Sequence, residues 1–349
     1  MKLETTPSTR SVGPRGKRWT ALGIAAAAAM LLTGCNVGAP VDRDSVEEVD
    51  TEAKTLRLAH VYDAGHPVEA CGVAALKEEL QGSGLQIQSF PSAQLGNESE
   101  ILEQVASGSL DMAVAGPSFL GVWEENAAVL DAAYLFEDVD HFVETANGEE
   151  MQAVFDDLYE SSDIKVLSSW YYGTRHVTAN KEISSAADFA GLKIRTPNAP
   201  LYLANIGAMG GTATPMALDE VYLALQQGVI DAQENPIPTI ATAKFNEVQD
   251  YINLTGHMIQ GVELTTGRAA YEGLTDEERT SLDDAMQVAA DATRECVEEQ
   301  EQSILEEWKT GSGIQVNENV DRDSLAAAAG EAMRQQPWGD LYEQIQTSR

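Results

Sequence analysis

Positive charge, cysteine, histidine and long apolar runs are all scarce in this 349-residue sequence. Lys and Arg number 22 against 56 Asp and Glu, a formal net charge of −34. Nucleic acid is therefore not an expected partner, because phosphate contacts need a basic face that this composition does not supply. The five histidines (His60, His66, His141, His176, His257) show no HxxxH spacing, and no two cysteines are close in sequence. No metal site is expected from them, and no cofactor. P-loop and GxGxxG motifs are missing, and "GPSFLG" is not GxSxG. An enzyme, such as a surface hydrolase, would need a nucleophile or metal constellation that is not there.

What is present begins with an export signal. "RGKRWTALGIAAAAAMLLTGC" carries a basic start (Arg15, Lys17, Arg18) and about 14 apolar residues from Trp19 to Leu32, with small residues before Cys35. That run is short of the roughly 20 residues needed to span a bilayer. Leu32-Thr33-Gly34-Cys35 resembles a bacterial lipobox, which implies a signal peptide over residues 1–34 and lipidation at Cys35. Removing 1–34 takes away five basic residues and one acid, leaving 17 against 55, or −38. Residues 35–54 lack apolar periodicity and are read as an acidic tether between lipid and domain.

From Thr55 onward strand-like and helix-like segments alternate. "TLRLAHV", "LQIQSF", "LDMAVAG", "IKVLSSWYY", "LKIRTP" and "VIDAQENP" have strand character. "HPVEACGVAALKEELQGSG", "APLYLANIGAMG" and "LDEVYLALQQG" have helical spacing closed by glycine. Asn97 is placed to cap a helix from Glu98 to about Ala106. The alternation predicts an α/β fold with mainly parallel strands, whose ligands bind where strands end. Arg195, Asn198 and Asn235 fall at such junctions. Residues 274–311 stay free of proline and glycine until Gly311, and Thr275 with Glu278 fits a capping box. They predict one helix of roughly 35 residues, beyond the usual 8–20.

The segment "GLKIRTPNAPLYLANIGAMGGTATPMALDEVYLALQQGVIDAQENPIPTIATAKFNEVQDYINLTGH" closely resembles the substrate-binding proteins of TRAP transporters, the DctP-type family. "LRLAHVYDAGHP", "FPSAQLGNESEILEQVASGSLDMAVAG" and "YYGTRHVTANKEI" resemble it in the same order. The resemblance covers most of residues 55–260. It implies a two-domain, periplasmic-binding-protein-like (type II-like) α/β fold with hinge strands and a long helix lying across both domains. Domain I would comprise about 55–172 plus 261–300, and domain II about 173–260 plus 301–349. The protein would be an extracytoplasmic receptor that closes on an organic acid anion and delivers it to the small and large subunits of a TRAP membrane permease, from the outer face of the cytoplasmic membrane. A ligand-binding sensor signalling to a membrane kinase is the alternative.

In the family, the arginine of the "KIRTPN" segment pairs two-pronged with a substrate carboxylate, and Arg195 occupies that place; a planar guanidinium matches a carboxylate as lysine cannot. On composition alone, an internal ion pair is the other role open to it. Asn235, in "QENP", matches a ligand-contacting asparagine. Arg175, in "YYGTRHVT", matches a second cleft arginine, and an internal salt bridge at the hinge is equally open. Asn198 is a further candidate, with capping of the next helix as its structural alternative. Leu218 stands where many relatives carry phenylalanine, which removes a flat pocket wall and argues against sialic acid. Gln260 lies near a polar pocket position of some relatives.

Cys71 and Cys296 are the only cysteines after Cys35. Export places them in an oxidising compartment, so a disulfide between the first helix and the long late helix is expected, with two buried thiols as the alternative.

Overall fold

The computed structural model describes residues 53–311 and 313–348. The signal peptide, Cys35 and nearly all of the tether lie outside the described residues. Nine strands form one sheet: β1 (Lys54–Ala59), β2 (Leu85–Phe90), β3 (Met112–Ala115), β4 (Ile164–Ala179), β5 (Lys193–Thr196), β6 (Thr212–Pro215), β7 (Ala232–Pro236), β8 (Tyr251–Gly267) and β9 (Gln315–Asn317). Their order is β2-β1-β3-β8-β4-β7-β5-β6, with β9 on the Tyr251–Asn253 end of β8. Lys54, expected as the last tether residue, belongs to β1.

The sheet is mixed where a mainly parallel one was expected. β2-β1-β3 and β7-β5-β6 are parallel triplets. They attach to an antiparallel pair, β4 with β8, that runs from Ile164↔Gly267 to Ala179↔Tyr251. β3 pairs with the Glu263–Thr266 part of β8, and β7 with the Arg175–Ala179 part of β4. The two triplets thus hang on opposite ends of the long pair.

Between those ends the β4–β8 register shifts, from Tyr171↔Gly261 to Gly173↔Gln260. A bulge of this kind leaves a backbone group unpaired and bends the strand. Gly173 has φ +132°, and a Cβ there would lie 2.6 Å from Pro236 Cβ and 2.9 Å from Glu301 Oε1, so only glycine fits. Glu301 satisfies the irregular backbone: its Oε1 accepts the Thr174 N–H at 2.8 Å, and its Oε2 accepts the Tyr171 hydroxyl at 3.2 Å.

Glu301 rides on the long helix Asp276–Thr310, which starts at the expected Thr275–Glu278 capping box. Its buried residues Leu282, Ala285, Met286, Ala289, Thr293 and Val297 recur at three- and four-residue steps, one stripe of a helix. Leu282 and Met286 pack with Leu58, Trp170 and Val262. Val297 joins a second apolar cluster, and Ile304, Leu305 and Trp308 pack against a third around Phe245 and Ile252. At about 1.5–3 kcal/mol for each large aliphatic side chain fully buried, this stripe is a main tie between the clusters.

Cys71, in the π-helical turn Val68–Val73, is disulfide-bonded to Cys296 of the long helix with Cα atoms 6.4 Å apart. The helix Glu98–Ala106 begins at Asn97, whose side chain accepts from Glu100 N in a second capping box. Among the described residues, no helix is long and apolar enough to cross a membrane.

Candidate functional site

The carboxyl ends of β1, β3, β5 and β7 converge on a cavity with ≈ 300 Å³ of empty space. Tyr62 follows β1, Gly116 and Phe119 follow β3, Arg195 and Pro197 end β5, and Asn235 ends β7. Glu98, Tyr172, Arg175, Tyr202, Leu218 and Gln260 complete the lining. Five of the six expected ligand residues (Arg195, Asn235, Arg175, Leu218, Gln260) therefore meet at one place.

Asn198 does not. It is exposed and outside the lining, and the residue at the N-cap of the helix Pro200–Ala208 is Ala199, whose methyl cannot accept a hydrogen bond. Pro200 at the first helical position fixes the helix start without a side-chain cap, leaving Asn198 one residue too early to cap it.

The two cavity arginines differ in their partners. Arg175 is 2% exposed and engages Glu234 through Nε to Oε2 at 2.5 Å and Nη2 to Oε1 at 2.8 Å. Its Nη2 also donates to the Glu234 carbonyl at 2.6 Å, and Nη1 to Gln260 Oε1 at 2.7 Å. His257 Nε2 lies 3.2 Å from Glu234 Oε2. Burial alone would raise the Glu234 carboxyl, but Arg175 and His257 hold it down at about 2. The internal ion pair left open for Arg175 is what the structure contains.

Arg195 is 1% exposed and donates Nε and Nη2 to one carbonyl, Met216 O, at 3.0 and 2.8 Å. Among the described residues it makes no ion pair. Burial pushes its pKa down, and the more distant charges of Glu98 and Glu234 pull it back up. A buried guanidinium without a carboxylate is costly to keep, and the cost falls when an anion enters beside it.

The other polar atoms are set by short local bonds. Asn235 Nδ2 donates to Gln233 Oε1 at 2.7 Å, and its Oδ1 lies 3.4 Å from the Tyr172 hydroxyl. Gln260 Nε2 donates to Asp131 Oδ1 at 2.9 Å and to the Tyr202 hydroxyl. Leu218 is half-buried, and aromatic surface comes instead from Tyr62 and Tyr172, whose rings lie 5.0 Å apart at 40°, with His66 stacked at 4.8 and 5.3 Å from them. Burial, then the neighbouring His60, lowers the His66 pKa to about 3, so this ring is uncharged near neutrality.

Sequence reasoning missed Glu98, Tyr202, Tyr62 and Tyr172. Glu98 is 8% exposed, and burial raises its pKa. In sequence it reads as an ordinary first-turn acid after a capping asparagine, favoured there by the helix dipole.

Comparison with known proteins places this architecture. Residues 72–340 match the family model described as bacterial extracellular solute-binding protein, family 7 (DctP). The sialic acid-binding periplasmic protein of Vibrio cholerae is 35% identical over 239 residues, which is 68% of this chain and 74% of that protein. The 2,3-diketo-L-gulonate-binding periplasmic protein of Escherichia coli is 34% identical over 263 residues, covering 74% and 78%. Among solved structures, a TRAP periplasmic solute-binding protein of Roseobacter denitrificans with bound L-galactonate superposes with TM-score 0.77 at 30% identity, covering 83% of this chain and 98% of that one. With the family model spanning most of the chain and these relatives matching both sequence and architecture, the chain is a member of the DctP family of extracytoplasmic solute-binding proteins, which serve TRAP transporters.

Proposed function

We propose that this protein captures a hydroxylated monocarboxylate in the strand-end cavity, with Arg195 as the carboxylate clamp. The observation that carries the proposal is the asymmetry of the two arginines: Arg175 is spent on Glu234, and Arg195 has only a carbonyl. One carboxylate satisfies Arg195; a second would meet Glu98 and an Arg175 already paired with Glu234. Glu98 and Asn235 instead suit hydroxyl groups, which both donate and accept. The names of the relatives fit this reading, since galactonate, diketogulonate and sialic acid are hydroxylated acids.

Closure would turn on the bulge at Tyr171–Gly173 and its partners Gln260–Gly261, with Glu301 bracing it. This divides the chain into lobes of residues 55–172 plus 261–300 and 173–260 plus 301–349. Hinge closure of two lobes over a ligand is a general device of binding proteins. Cys35 would carry the lipid that holds the receptor beside the two permease subunits. Incorporation of labelled fatty acid that is lost in Cys35→Ala supports the anchor; equal labelling of both forms refutes it.

The receptor reading is tested by a thermal-shift panel of carboxylates on protein unfolded and refolded to strip bound ligand. A ligand that binds the native state alone raises the melting temperature. Hydroxylated monocarboxylates should raise it more than dicarboxylates of equal length. A panel in which dicarboxylates stabilise most would contradict the single-clamp charge count.

A further inference from the structure

Tyr202 sits seven positions after Arg195, on the helix that follows β5, and its side chain enters the same cavity. It is 2% exposed. Its ring packs 6.1 Å from Phe119 and lies 5.4 Å beneath the Arg175 guanidinium. Its hydroxyl accepts from Gln260 Nε2, the same amide that donates to the Asp131 carboxylate. Asp131 is fixed in turn by the Ser118 N–H at 2.8 Å and by Gln260 Nε2. Three contacts therefore hold the phenol: the Phe119 ring, the Arg175 guanidinium and the Gln260 amide.

Space for it is made by Gly116. A Cβ at that residue would stand 2.5 Å from the Tyr202 hydroxyl oxygen, so the phenol fills the volume that any side chain at 116 would need. The φ of Gly116 is −69°, open to every residue type, so the glycine serves space and not backbone conformation. Arg195, anchored to Met216 O, and Tyr202, set against Gly116, Phe119 and Gln260, both line this one cavity.

We infer that Tyr202 is a specificity-determining residue that sets the length of acid this receptor accepts. With the carboxylate held at Arg195, the ligand chain runs toward the phenol and ends there. The inference rests on the carboxylate reading above and adds a prediction that reading does not make. Adding or removing one methylene at a pocket wall changes affinity by about 10–200-fold, so a missing phenol should be plainly visible.

The experiment titrates the stripped full chain with glycerate, erythronate, xylonate and gluconate, beside Tyr202→Ala, Tyr202→Phe and Arg195→Ala. In the wild type, affinity should fall from the preferred short acid to gluconate. In Tyr202→Ala the ratio of gluconate to short-acid affinity should rise about 10-fold or more, while Tyr202→Phe, which keeps the ring, should hold the wild-type ratio. Tyr202→Leu takes the place of the alanine variant if that variant does not melt cooperatively. An unchanged ratio in a folded Tyr202→Ala or Tyr202→Leu overturns the length gauge. If Arg195→Ala loses all four acids in that same experiment, the carboxylate reading stands and only the gauge fails. Undiminished binding by Arg195→Ala, or no binding of any acid by the wild type, overturns both.

Discussion

Arg175 and Glu234 face each other through two parallel N–H···O contacts, both side chains 2% exposed or less, with Arg175 lining the strand-end cavity. The pair neutralises one of the two cavity arginines before any ligand arrives. It also joins β4 to β7, whose register places Arg175 opposite Pro236 and diagonal to Glu234, the partner of Val177.

Breaking that pair should be expensive. Glu234→Ala leaves a buried guanidinium uncompensated, a loss of about 3–5 kcal/mol in chemical denaturation. Glu234 also contributes an acid limb. Its folded-state carboxyl lies at about 2 against an ordinary 4.5, so its stabilisation is complete above 4.5 and disappears as pH falls through 2. Glu234→Gln should flatten the stability profile over that interval; a slope equal to the wild type's would place the acid limb elsewhere.

The opposite sign is expected at Glu263. This residue of β8 is fully buried, accepts the Ser169 hydroxyl on Oε2, and has no partner for Oε1 among the described residues. Burial pushes its carboxyl up to about 8. Between the ordinary 4.5 and 8 the folded chain holds a proton that the unfolded chain releases, so stability falls as pH rises through this window. Glu263→Gln keeps the shape and removes the titration. It should be more stable than the wild type by a few kcal/mol, order of magnitude, at pH 8.5, with the gain shrinking toward pH 5. A pH-independent difference would remove the buried charge as the cause.

The disulfide between Cys71 and Cys296 closes a loop of 225 residues. Cys71→Ser with Cys296→Ser should lower stability by about 2–5 kcal/mol, and the unfolded wild type should take up thiol label only after reduction. Equal labelling with and without reductant would show two free thiols instead.

The fold was legible where its causes are local. Asn97 with Glu100 and Thr275 with Glu278 declare helix starts within four residues, and both boxes are present. β8 was not read at all: "YINLTGHMIQGVELTTG" is buried on both faces, so the alternation that marks a half-exposed strand is missing. The antiparallel β4–β8 pair, and with it the mixed sheet, was lost for the same reason. At the site, the resemblance put Arg195 forward as the carboxylate partner but left Arg175 open between ligand and internal salt bridge, because its partner Glu234 is 59 positions away in sequence. Tyr202 passed as an apolar helix residue, since only the space left by Gly116 gives its hydroxyl a place in the cavity.

The most direct measurement is calorimetric titration of the acid that best stabilises the wild type into Arg195→Ala and Arg195→Lys. Arg195 donates to one carbonyl in the free protein, so its removal should leave the melting temperature nearly unchanged while affinity falls about 100-fold or more. Lysine should restore little of it, because a point charge does not reproduce the planar fork. Wild-type affinity in a folded Arg195→Ala would contradict the clamp and return the site to an open question of which group receives the anion.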